Sequence, residues 1–60
     1  MNHTENDYID IGYKYEKAPT PDRGRAIAST IRAMLQSEAL VDQIEARRLI
    51  DQGRQEARHR

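Results

Sequence analysis

The segment YIDIGYKYE, from Tyr8 to Glu16, places Ile9, Ile11, Tyr13 and Tyr15 at every second position, with Tyr8, Asp10, Gly12, Lys14 and Glu16 between them. Successive β-branched and aromatic residues at a period of two predict a half-buried strand over residues 8–16. Gly12 weakens such a strand and marks a bulge or a close approach of another backbone. A lone strand leaves its N–H and C=O groups unpaired. The prediction therefore demands a second strand, from another copy of the chain or from the edge of a different protein.

Downstream, Pro19 and Pro21 end the strand, since each lacks a donor and fixes φ. Thr20 is placed to cap a helix, Pro21 suits its first position, and Asp22 lies near the positive end of its dipole. Ile27, Ile31, Met34 and Leu35 then recur at i, i+4, i+7 and i+8, which predicts an amphipathic helix over 21–36. Beyond it, Leu40 and Ile44 leave the stripe while Val41 and Leu49 rejoin it. A phase break at Gln36 and Ser37 repairs the register and predicts a second helix over 38–52, capped by Ser37, with Glu38 in its first turn and Gly53 as its stop. One continuous helix is the alternative, because neither Gly nor Pro enforces the turn.

The second helix carries two apolar faces. Leu40, Val41 and Ile44 form one; Ala39, Ala46, Leu49 and Ile50 lie largely on the other. One face packs on the first helix and the other needs a partner, so Ala46, Leu49 and Ile50 are candidates for a dimer interface. The fold class expected is mostly α, a small α+β chain: flexible residues 1–7, then one domain over 8–53 with an N-terminal β arm and a helical hairpin, then a basic tail over 54–60.

Composition points the same way. Six Ile, three Leu and one Val are the only large aliphatics among 60 residues, with no Phe, Trp or Cys. Chains this small usually need a disulfide, a metal or a partner to hold together. Cysteine is absent, and His3 and His59 sit near opposite ends, so neither a disulfide nor a structural metal is expected. A homodimer is the remaining option. No apolar run reaches the ~18 residues of a membrane span, and the polar start MNHTENDYID does not resemble a signal peptide. A cytoplasmic protein is expected.

Enzyme motifs are missing. Gly12, Gly24 and Gly53 are too far apart for a phosphate loop, there is no Cys nucleophile, and a chain of 60 residues has little room for a pocket of ~300 Å³ or more. No catalytic residue, cofactor or metal ligand is expected. Contact with another protein is the leading expectation. Tyr8, Tyr13 and Tyr15 cluster with Lys14, and tyrosine brings large contact area with little loss of entropy, which makes these four the candidate partner-binding residues. Charge is uneven: residues 1–22 hold five acids against two lysines, while residues 43–60 hold five arginines against three acids. Arg47, Arg48, Arg54, Arg58 and Arg60 are candidate phosphate contacts, although basic residues near a helix end also complement its dipole.

The order strand, helix, helix in a short dimeric chain is similar to the ribbon-helix-helix repressors. The resemblance spans Tyr8 to Gln52 and is one of topology. It implies an intermolecular ribbon whose outward residues, here Asp10, Gly12 and Lys14, read the DNA major groove. The chain departs from the family pattern in Asp10, in Glu38 near the helix start, and in lacking a glycine between the helices. A nucleic-acid-binding regulator is accordingly the alternative function.

Overall fold

A computed structural model, which describes residues 2–59, contains three helices and, among those residues, no strand. They are α1, Glu5–Glu16, α2, Pro21–Gln36, and α3, Leu40–Arg58. The β arm expected over residues 8–16 is a helix, and the fold is a three-helix bundle, not an α+β arm with a hairpin. With the strand goes the ribbon, so the likeness to ribbon-helix-helix repressors does not extend to the fold.

The reason is physical. A helix closes its backbone hydrogen bonds within its own segment, whereas a strand needs a neighbour. Thr4 supplies the start: its hydroxyl accepts from the Asp7 backbone N–H at 3.1 Å, and the Asp7 carboxylate accepts from the Thr4 N–H at 3.0 Å. This reciprocal capping box satisfies two otherwise orphaned donors. Glu5 and Asp7 in the first turn and Lys14 in the last complement the dipole. Tyr8, Ile11, Gly12 and Tyr15 also recur at i, i+3, i+4 and i+7, so the segment that alternates along a strand carries a helical stripe as well.

That stripe meets α3 at very short range. A Cβ added to Gly12 would run into the Ile50 carbonyl, lying 2.8 Å from its carbon and 2.9 Å from the Ile50 Cα. A Cβ on Gly53 would collide with the Ile9 carbonyl, 2.8 Å from its carbon, and stand 2.9 Å from the Tyr13 nitrogen. Two glycines thus let the backbones of α1 and α3 touch, an approach no other residue permits. Gly53 is therefore not a helix stop. It lies mid-helix at the crossing, and α3 continues through the expected tail to Arg58. Ala46, Leu49, Ile50, Gly53 and Ala57 form the buried face of α3, and Tyr8, Ala46, Leu49 and Ile50 make the core. Tyr8 sits beside Glu38, ahead of α3, and Glu16 beside Arg54 and Arg58 near its end, so the two helices run in the same direction.

α2 runs back between them. Thr20 accepts from the Arg23 N–H at 3.2 Å and Pro21 opens the first turn. Its apolar stripe leans on the core, yet no residue of α2 is fully buried. Ser37, expected to cap the next helix, instead closes α2, its hydroxyl donating to the Met34 carbonyl at 2.6 Å. The phase break near Gln36 makes two helices out of the stretch, and α3 begins at Leu40 with Ala39 as an N-cap that makes no side-chain bond.

The three glycines should respond to alanine with opposite signs. Gly24 has open space around it, with only the Ala18 Cβ at 3.9 Å, so Gly24→Ala should stabilise the fold by about 0.5–1 kcal/mol through helix propensity. Gly12→Ala and Gly53→Ala should each destabilise by about 1–3 kcal/mol or more, because backbone must move. Urea melts of the three variants measure this. Equal effects at all three positions would refute the close crossing.

Candidate interaction surfaces

The sequence-derived site residues scatter once α1 is a helix. Tyr8 is fully buried and faces the core, so it is not a surface contact. Its hydroxyl donates to a Glu38 carboxylate oxygen at 2.9 Å and lies 3.3 Å from the Met34 carbonyl. Tyr13 and Tyr15 are half-buried on different sides of α1, and Lys14 is exposed, paired with Asp10 at 2.9 Å. Ala46, Leu49 and Ile50, expected at a subunit interface, are enclosed by the chain's own α1. Arg47 and Arg48 are exposed, the latter 3.8 Å from Glu45. Arg60 lies outside the described residues.

Glu38, expected in the first turn of a helix, is a buried carboxylate in the connection between α2 and α3. The backbone N–H of Asn2 donates to it at 2.6 Å, and the Asn2 side-chain amide donates to the Ser37 carbonyl. Residues 2–4, expected to be flexible, are tied across the α2–α3 connection by these bonds and by the Thr4 cap. The Asn2 N–H, with help from the Tyr8 hydroxyl, holds the Glu38 carboxyl below its ordinary value against the effect of burial. Burial first, and then the hydrogen bond to Glu38, push the Tyr8 phenol up to about 12.

At the opposite end, Arg54 donates through Nε to Glu16 at 2.9 Å, and Arg58 approaches the same oxygen at 3.3 Å. The guanidinium of Arg54 also stacks over the Tyr15 ring, 5.0 Å from its centre. Those two bonds, Arg54 foremost, hold the Glu16 carboxyl below its usual range. Two of the candidate phosphate contacts are therefore already engaged with a carboxylate.

An exposed apolar face and three grooves remain open. Leu40, Val41 and Ile44 are 80%, 73% and 65% exposed, on the side of α3 opposite Ala46, Leu49 and Ile50. Of the two apolar faces of α3, the one carrying Ala46, Leu49 and Ile50 packs within the chain and the one carrying Leu40, Val41 and Ile44 is open. Between α2 and α3 lies a groove of about 330 Å³, lined by Tyr15, Ala28, Ile31, Arg32, Ile50 and Arg54. Two further grooves, of about 420 and 390 Å³, flank the α1–α2 connection. Among the described residues no cluster of His, Cys, Asp and Glu is placed to hold a metal, and no helix is long and apolar enough to cross a membrane. No family model matches the chain, and the searches of curated proteins and of solved structures returned no match.

The Tyr8–Glu38 pair sets two pH limits. Tyr8 has a folded pKa raised from 10.0 to about 12, so its contribution is complete below pH 10 and is lost as pH rises through 12. Glu38 is lowered from 4.5, so its contribution is present above that value and is lost as pH falls below it. Tyr8→Phe should remove the alkaline limb and lower stability at neutral pH by about 1.5–3 kcal/mol, the range for a hydrogen bond to a charged group. Chemical denaturation across pH checks both; an alkaline limb unchanged in Tyr8→Phe would exclude this pair as its source.

Proposed function

We propose that this protein is a small non-enzymatic regulator or adaptor that acts through protein–protein contacts as a dimer, its copies joined through Leu40, Val41 and Ile44. The observation that carries the reading is the exposure of those three side chains on one face of α3. Large aliphatics are scarce in this chain, ten among 60 residues, and only Leu49 and Ile50 of the ten are buried. Leaving three of the remainder in water forgoes roughly 1.5–3 kcal/mol each. A face of this kind on a small helical protein supports a contact there.

The magnitude limits what the contact can do. A stable interface buries roughly 800 Å² per partner, more than three side chains supply, so the surrounding Gln43, Arg47 and Arg48 must join it and the association is weak and concentration-dependent. Zero net formal charge removes the long-range repulsion between copies.

Light scattering across a concentration series tests the reading. The wild-type chain should shift from monomer to dimer in the micromolar range, and Ile44→Asp should stay monomeric with unchanged helicity, since the position is exposed and a substitution there changes stability by about 0.5 kcal/mol or less. A wild-type chain that stays monomeric throughout, or an Ile44→Asp variant that still dimerises, would sink it.

A further inference from the structure

The geometry points to a receptor for a short acidic, apolar segment of a partner protein in the groove between α2 and α3. This rests on the reading that the protein acts by protein contact, and it assigns that partner a chemistry and a place apart from the Leu40–Val41–Ile44 face. The groove is lined by the apolar surfaces of Tyr15, Ala28, Ile31 and Ile50 together with two cations, Arg32 from α2 and Arg54 from α3. None of the six lining residues is acidic. Its volume, about 330 Å³, is at the small end for a binding cleft and suits one or two bulky side chains.

Arg54 is the decisive residue. Glu16 takes its Nε, and its guanidinium carbon lies 5.0 Å from the centre of the Tyr15 ring, two contacts that restrict the side chain. Its two terminal nitrogens make no hydrogen bond among the described residues, which leaves that pair of donors for an incoming carboxylate. With Arg54 already ordered and only 36% exposed, a carboxylate arriving there meets a prepared and partly desolvated donor pair. Arg32, exposed on the α2 wall and without an ion-pair partner among the described residues, offers a second positive charge across the groove. An aliphatic or aromatic side chain next to that carboxylate would cover Ala28, Ile31 and Ile50. This is the pattern of an acidic amphipathic peptide, with apolar anchors below and a charged rim.

A displayed library of random peptides, selected on the full-length chain, tests the assignment. The enriched peptides should pair Asp or Glu with a bulky apolar residue. A synthetic peptide of the enriched sequence should lose at least about tenfold in affinity on Arg32→Glu, an exposed site where helicity should not change, and on Arg54→Gln. Arg54→Lys, which keeps the charge but not the fork, should fail to restore it. Ile44→Asp should bind the peptide as well as the parent does, which separates this result from failure of the dimer face. The assignment falls if no peptide is enriched or the enriched peptides lack acidic residues. It falls equally if Arg32→Glu binds unchanged, or if a single-stranded oligothymidine competes the peptide off the groove more tightly than the peptide binds.

Discussion

Two glycines, one on each of the first and last helices, set the distance between α1 and α3, and the rest of the molecule is arranged around that contact. Where Gly12 faces Ile50 and Gly53 faces Ile9, backbone touches backbone, and the neighbouring positions on α3 must be small or flat to follow. Ala46 and Ala57 satisfy that requirement on either side. Because the helices are parallel, their ends are pinned by different chemistry: the phenol of Tyr8 on the Glu38 carboxylate at one end, and the Arg54 and Arg58 guanidinium groups on Glu16 at the other. The pair is therefore fixed in depth by sterics and in register by charge.

α2 has a different status. It reverses the chain between two helices that already satisfy each other, and it brings half-buried residues but no fully buried one. A chain with so few large aliphatics cannot supply two dense interfaces, and the α1–α3 crossing claims the buried pair Leu49 and Ile50. What α2 leaves uncovered is a groove, and what α3 leaves uncovered is its outer apolar turn. Both candidate surfaces are thus consequences of one shortage of burial.

The sequence makes α2 legible from local signals alone: a capping threonine, a proline at the first position, and an apolar stripe with helical spacing. α1 is legible only in part. Ile9, Ile11, Tyr13 and Tyr15 alternate, but Tyr8, Ile11, Gly12 and Tyr15 also form a helical stripe, and a stripe with a glycine in its middle does not register as apolar. The decisive signal, Thr4 with Asp7 three residues later, lies in a stretch that reads as a polar tail. Gly53 misleads in the same manner, since a glycine after an apolar run resembles a helix end. Its role appears only when Gly12 is known to face it, a relation across the chain that local reading does not hold. The groove residues share this difficulty: Arg54 looks like part of a basic tail until the helix continues and places it against Tyr15 and Glu16.

Parallel packing of α1 and α3 also gives the molecule a permanent electrical polarity. Both helices carry acids in the first turn, Glu5 and Asp7 in one and Asp42 in the other, and a base in the last, Lys14 and Arg58. Each charge steadies its own helix, and because the two axes point the same way the separations add instead of cancelling. A chain with a formal net charge of zero thereby has its helix-end side-chain charges separated, acids where α1 and α3 begin and bases where they end, in the sense opposite to the helices' own backbone dipoles. Such a body is turned as it approaches a charged surface, before any side chain makes contact, and that orienting torque fades as ionic strength rises.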